Sequence, residues 1–220
     1  MLHLIDADNR HLPPYADMLE QSYLIRHDIY VNHRGWKALA RPDLREIDQF
    51  DTPNAKYLIW ADGEEVVGGA RFVPTHLPHL MSDVFPHIVT LGEIPRSPDV
   101  WELTRMFTTR DGNSKANRRL VTGDVWAGMF EMGLHYELKA ISIVCDTFFL
   151  TRFLESGFSV RPLGLPTDYP EGTCIAVTLP VTTAQLLTAR NGKRGRVLFD
   201  VEVPANRGVH EVPQEIHAAH

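Results

Sequence analysis

Residues 100–108 read Val100-Trp-Glu-Leu-Thr-Arg-Met-Phe-Thr108, an alternation of apolar and polar side chains that predicts a β-strand. Strict alternation puts Glu102 and Thr104 on one face of that strand and sends Arg105 to the other. A β-bulge between them would re-aim Arg105 toward Glu102, so a bulged strand beside a site is the expectation for this stretch. A partner strand carrying Gly69-Ala-Arg71-Phe lies upstream, where Asp62-Gly63 between the β-prone runs Lys56–Trp60 and Glu65–Pro74 predicts an antiparallel hairpin.

Around this centre the pattern alternates between helix and strand. Tyr15, Met18, Leu19, Tyr23, Ile25, Ile29 and Tyr30 fit one helical face, predicting a helix over 15–31 that ends before Asn32. Residues 32–54 are polar and punctuated and read as a surface loop, and residues 76–99 as irregular chain rich in Pro and His. A second helix is expected from Lys115 to Leu138, with Leu120, Val121, Val125, Met129, Met132 and Tyr136 as its buried stripe. A buried strand should follow at 140–145, a short helix at 147–156 closed by Gly157, strands at 158–163 and 174–179, and a short helix at 181–190.

The chain has 220 residues, 44% hydrophobic and 23% charged, which suits one core better than two. The expected organisation is one α/β domain over 1–190 with a loosely ordered tail over 191–220. A net charge of −6 without a Lys/Arg block argues against a nucleic-acid partner. The N-terminus lacks signal-peptide character and no apolar run reaches membrane-span length, so a cytoplasmic protein without a membrane partner is expected. Cys145 and Cys174 read as reduced small core residues. His76, His79 and His87 match no compact zinc spacing, and no metal or cofactor is expected. Phosphate loops, dinucleotide fingerprints and serine nucleophile elbows are absent from the sequence.

Three groups hold the chemistry-bearing side chains: Arg26 with Trp36, the carboxylates Glu46, Asp48 and Asp51, and the strand residues Arg71, Glu102 and Arg105. Singly, each has an ordinary explanation as core edge, solvated surface or ion pair. Together with Tyr30 and Phe85, their spacing resembles the invariant set of the LuxI-type autoinducer synthases, which has Phe where this chain has Tyr30. The close match covers about residues 24–107.

That resemblance implies a single-domain α-β-α sandwich similar to the GCN5-related N-acetyltransferases, with a mixed twisted sheet split at a bulge. It implies acyl transfer from a thioester, either acyl-CoA or acyl carrier protein, to the amine of S-adenosylmethionine, then lactonisation releasing methylthioadenosine. Catalysis is expected from Glu102 as base through a water, with Asp48 as second candidate and Arg105 orienting. S-adenosylmethionine is assigned to Arg26, Tyr30, Trp36, Glu46, Asp51, Arg71 and Phe85, with Trp36 facing the sulfonium, Arg26 forking the substrate carboxylate, and Arg71 organising the acidic triplet. The acyl pocket candidates are Trp101, Phe107, Met129, Ile143, Phe148, Phe149 and Phe153, whose bulk favours a short branched or aryl group. Lys115, Arg118, Arg119, Arg152 and Arg161 are candidates for docking the donor. Two other readings stand beside this one: an acyl-CoA N-acyltransferase acting on another amine, and a non-catalytic sensor of S-adenosylmethionine or acyl-thioester.

Overall fold

A computed structural model describes residues 1–109, 115–190 and 197–199, so most of the expected tail lies outside the described residues. In chain order the elements are β1 (Leu2–Ile5), α1 (Pro13–Arg26), β2 (Lys56–Asp62), β3 (Glu65–Pro74), α2 (Leu80–Asp83), β4 (Val100–Thr108) and α3 (Lys115–His135). They continue with β5 (Ala140–Asp146), α4 (Thr147–Glu155), β6 (Arg161–Pro162), β7 (Thr167–Tyr169), β8 (Gly172–Pro180) and α5 (Thr183–Arg190). One mixed sheet runs β1-β2-β3-β4-β5-β8-β6, with β7 also on β8. All its pairings are antiparallel except β4 with β5.

The β2–β3 hairpin turns where Asp-Gly stands, with Gly63 at φ +62, a value only glycine adopts without strain. Between β3 and β4 the register shifts: Gly69 faces Phe107 and Arg71 faces Thr104, so three steps on β4 oppose two on β3. The extra residue is accommodated at Arg105, whose φ is +51. This reverses the alternation. Trp101 and Leu103 pack into the core beneath α3 to α5, while Phe107 packs into the core beneath α1. Arg105 meanwhile joins the face of Glu102 and Thr104, as its partners below show. Gly69 is required beside the bulge, because a Cβ there would stand 2.7 Å from the Leu58 carbonyl oxygen.

The parallel pairing of β4 with β5 runs from Val100–Ala140 to Leu103–Ile143 and stops. Beyond that point β4 continues along β3, and β5 along β8, so the sheet divides into two arms. The division explains why β5, expected to be buried throughout, is buried only as far as Ile143.

Other differences have local causes. The first helix does not end before Asn32; it widens into a π-helical stretch over His27–His33, a distortion frequent at functional sites. Leu120 and Tyr136, expected in the α3 stripe, are exposed, whereas Val121, Val125, Met129 and Met132 are buried. The strand expected over 158–163 is confined to Arg161–Pro162, where only β8 is available to pair. β1, α2 and β7 are too short to leave a periodic signal.

Candidate active site

The loop over 32–54 is not simply a surface loop. Glu46 is fully buried, and the side chains of Asp48 and Asp51 are 7% and 0% exposed. These carboxylates alternate with three arginines in a closed ring. Arg26 donates to Glu46 through Nε at 2.6 Å, and to both oxygens of Asp51 at 2.9 and 2.8 Å. Arg71 reaches Asp51 at 2.8 Å and forks Asp48 at 2.6 and 3.0 Å. Arg105 closes the circuit, donating to Asp48 at 2.8 Å and to Glu46 at 3.1 and 3.0 Å.

Three cations and three anions cancel, which is what makes six buried charges tolerable in one place. Burial alone would lower the pKa of Arg71, but Asp51 and Asp48 more than offset it and raise it. Burial likewise pushes Asp51 up, and the bidentate Arg26 with Arg71 overcomes this to hold it below the ordinary carboxylate range. The ring is fastened to the sheet: Arg71 Nε donates to the Thr104 hydroxyl at 3.0 Å, and the Tyr57 hydroxyl donates to Asp51 at 2.9 Å.

Arg105 and Asp48 also line a cleft of about 310 Å³ that lies at the division of the sheet. One wall carries Tyr30, Arg34 and Trp36; β4 contributes Leu103 to Met106 and β5 contributes Ile143 to Asp146. Leu80, Val84 and Phe85 come from the α2 segment, Phe149 and Phe153 from α4, and Tyr169, Glu171 and Cys174 from the far arm.

Tyr30 stacks on Trp36 with centroids 4.9 Å apart. The guanidiniums of Arg34 and Arg105 lie 4.9 and 5.8 Å from the Trp36 ring, and 6.0 and 5.5 Å from Tyr30. A cation capping the far face of Trp36 would stand about twice the stacking distance from Tyr30, so both guanidiniums flank the stack rather than cap that face. The Tyr30 hydroxyl donates to the Met106 carbonyl at 2.8 Å, giving a partner to a backbone group displaced at the bulge. The buried Trp36 indole N–H forms no hydrogen bond of standard geometry, although the Tyr169 hydroxyl is near enough to feel it.

Glu102 is fully buried and stands outside the cleft lining, two residues from Thr104 on the same face. Its two oxygens accept the N–H groups of Leu80 and Met81, both at 2.7 Å. Burial pushes its pKa up to about 7 against the pull of those bonds and of Arg71 and Arg105.

Of the expected site residues, the cleft gathers Tyr30, Trp36, Asp48, Phe85, Arg105, Ile143, Phe149 and Phe153. Arg26, Glu46, Asp51 and Arg71 form the ring behind it. Arg26 is 1% exposed, is committed to Glu46 and Asp51, and is not among the residues that line the cleft. Trp101, Phe107, Met129 and Phe148 do not line the cleft. Trp101 packs toward Tyr136 at the other end of the strand, Phe107 is turned away by the bulge, Met129 sits under the sheet, and Phe148 is exposed on α4.

Arg34, Asp146 and Tyr169 were not expected to line the cleft. Arg34 immediately before Gly35-Trp36 was the available signal; nothing local marks the other two. Arg118 is half-buried, and Arg119, Arg152 and Arg161 are exposed. Among the described residues, no three or more His, Cys, Asp or Glu side chains could together hold a metal ion, and no helix is long and apolar enough to cross a membrane.

A family described as autoinducer synthase matches residues 11–188. An isovaleryl-homoserine lactone synthase of Bradyrhizobium diazoefficiens is 41% identical over 182 residues, covering 82% of this chain and 80% of its own. The structure of BjaI, a CoA-dependent acyl-homoserine lactone synthase with SAM and isopentyl-CoA, superposes with a TM-score of 0.83 at 37% identity, covering 90% of this chain and 92% of that one. Escherichia coli ElaA, 12% identical, superposes over 81% of this chain and 99% of its own with a TM-score of 0.54, a likeness of fold alone.

Proposed function

The chain belongs to the autoinducer synthase family, and from that premise we propose how its cleft makes an acyl-homoserine lactone. It is an acyl-homoserine-lactone synthase, an acyltransferase of quorum-sensing signal synthesis that takes S-adenosylmethionine as amine and releases methylthioadenosine. The observation that carries the assignment of roles is that Trp36 lines the same cleft as the Asp48–Arg105 edge of the buried ring.

The sulfonium of S-adenosylmethionine rests on the Trp36 ring, an attraction worth on the order of 0.5–2 kcal/mol, with Asp48 as a carboxylate of the same cleft. Arg105, the ring guanidinium that faces the cleft, takes the substrate carboxylate in place of the committed Arg26. Arg26, Glu46, Asp51 and Arg71 hold Asp48 and Arg105 in place. Their rigidity matters because transition-state stabilisation requires charges that do not reorganise.

The α-ammonium must lose a proton before its lone pair can attack. Glu102, with a pKa about 7, is matched to that task near neutral pH. Because it stands behind Thr104 and outside the cleft wall, the proton reaches it through a water. As the C–N bond forms, the thioester oxygen gains charge and is met by backbone N–H groups where β4 leaves β5. The C–S bond then breaks and the thiol departs. The substrate carboxylate next attacks the carbon adjoining the sulfonium, closing the lactone and expelling methylthioadenosine, a step favoured by a folded near-attack geometry.

The donor is a short branched acyl-CoA. The small cleft with Ile143, Phe149 and Phe153 in its apolar wall suits such a group, and relatives named for isovaleryl and isopentyl-CoA chemistry support it. The reaction takes place in the cytoplasm, where both substrates are made. Parallel turnover of isovaleryl-CoA, an aryl-CoA and a straight-chain acyl carrier protein tests the assignment: isovaleryl-CoA should give the highest kcat/KM, and preference for a long straight chain on the carrier protein would overturn it.

A further inference from the structure

Asp146 occupies the N-cap position of α4, yet its side chain makes no capping hydrogen bond. Aspartate is among the best residues at that position, because its carboxylate can accept a free N–H of the first turn. Its carboxylate instead faces across the division of the sheet. One oxygen pairs with the Arg34 guanidinium, and the other accepts the Tyr169 hydroxyl at 2.7 Å. Arg34 in turn lies 4.9 Å from the Trp36 ring, and all four side chains line the cleft.

β5 and β7 both pair with β8, so Asp146 and Tyr169 belong to one arm, and the contact that crosses to the first half of the chain is the Arg34–Asp146 pair. Arg34 and Trp36 follow the π-helical stretch of the first half, Asp146 ends β5, and Tyr169 belongs to β7 on β8. Trp36 itself lies in irregular chain, entered through Gly35 at φ +78 and followed by a single 3-10 turn over Lys37–Leu39. Its ring is held by the Tyr30 stack on one face and by Arg34 at its flank.

We propose that Arg34, Asp146 and Tyr169 form a clasp that ties the two arms of the divided sheet together and positions Trp36 for the sulfonium substrate. Arg34, Asp146 and Tyr169 are positioning residues, and the inference rests on the placing of the sulfonium at Trp36. The clasp sets the width of the cleft at its aromatic end. The capping bond that Asp146 forgoes is local stability exchanged for a contact between halves. An arginine suits position 34 better than a lysine, because its extended guanidinium reaches the Asp146 carboxylate while lying 4.9 Å from the indole ring.

Titration calorimetry with S-adenosylmethionine and thermal melts of Arg34→Ala, Arg34→Lys, Asp146→Asn and Tyr169→Phe test the clasp. Arg34→Ala and Asp146→Asn should each weaken binding by about 10-fold, and the double variant by no more than either alone, the signature of one coupled unit. Arg34→Lys should recover part of the loss. Asn is as good an N-cap as Asp, so Asp146→Asn should melt no lower than the wild type while binding less well. In turnover, the KM for S-adenosylmethionine should rise by more than kcat falls.

Should Arg34→Ala fail to fold, Asp146→Asn and Tyr169→Phe answer the question with Arg34 in place. Unchanged affinity in all folded variants, additive losses in the double variant, or affinity falling only in step with melting temperature would overturn the clasp. The parent reading is checked separately, by Trp36→Leu. If that variant binds S-adenosylmethionine normally while the clasp variants do not, the sulfonium placement fails together with the role given to the clasp. If Trp36→Leu binds poorly and the clasp variants bind normally, only the clasp fails.

Discussion

The Glu102 carboxylate accepts the backbone N–H of Met81 at 2.7 Å, and its second oxygen accepts the N–H of Leu80 at the same distance. One side chain therefore pins the α2 segment, which carries Leu80, Val84 and Phe85 to the cleft, and also holds a carboxylate with a pKa about 7 behind the reacting groups. The rate of acylation should rise with pH through about 7, as the unprotonated form accumulates. In Glu102→Gln that inflection should vanish and the rate fall by about 100-fold or more. A pH–rate profile of thiol release reads both, and a near-normal rate in the variant removes Glu102 from the role of base.

Glu102 and Asp51 should affect stability with opposite sign. The pKa of Glu102 is raised from 4.5 to about 7, so within that window the folded chain holds the extra proton and this group's contribution falls as pH rises. Asp51 is depressed from 3.8, so its contribution is present above that value and is lost as the pH falls through the folded pKa. Asp51→Asn should therefore cost about 3–5 kcal/mol in urea unfolding near pH 7, from a broken buried pair. The gap from the wild type should narrow in acid; a gap independent of pH contradicts the account.

Arg26 belongs to the same ring and should fail in the same way. Arg26→Gln is expected to lower unfolding stability by about 3–5 kcal/mol, because Glu46 and Asp51 each lose one of their two arginine partners and the buried ring is left with an uncompensated negative charge. A variant as stable as the wild type but weak in S-adenosylmethionine binding would return Arg26 to direct substrate contact.

Phe149 lines the cleft on α4 and is only half-buried, so its truncation should enlarge the acyl space without collapsing the core. Phe149→Ala should shift the kcat/KM preference toward acyl groups longer by one or two carbons, by a factor of about 10 for the volume released. Competition between isovaleryl-CoA and straight-chain acyl-CoAs measures the shift. An unchanged ranking would place the acyl group elsewhere.

Cys145 and Cys174 are free and both line the cleft, and burial pushes the Cys145 thiol up to about 12. A thiol that does not ionise near neutral pH is a poor nucleophile, so no acyl-enzyme should form. Intact-mass spectrometry after incubation with acyl-CoA alone should show the unmodified chain; an acyl adduct on either cysteine would contradict direct transfer to the amine.

The bulge on β4 was legible because Glu102 and Arg105 sit three apart on a strand, a spacing that alternation alone cannot put on one face. The Asp-Gly hairpin and the long helix were legible from turn chemistry and periodicity. The sequence also marked the ring residues but not the ring, since its six links join segments far apart in the chain. Arg26 illustrates the gap: an arginine beside a loop Trp reads as a ligand-binding group until its partners are known. Phe107 shows a second limit, because the bulge that brings Arg105 to the face of Glu102 also carries Phe107 into the core beneath α1, away from Phe149 and Phe153. Asp146 shows a third, since an aspartate before a helix reads as a cap and gives no sign that its carboxylate serves another segment.

Product analysis of the wild-type chain with S-adenosylmethionine and isovaleryl-CoA tests the central claim most directly. Mass spectrometry should find isovaleryl-homoserine lactone and methylthioadenosine in equal amounts, with one free thiol released for each. Thiol release with S-adenosylmethionine left intact, or an acyl amide of some other amine, would contradict it.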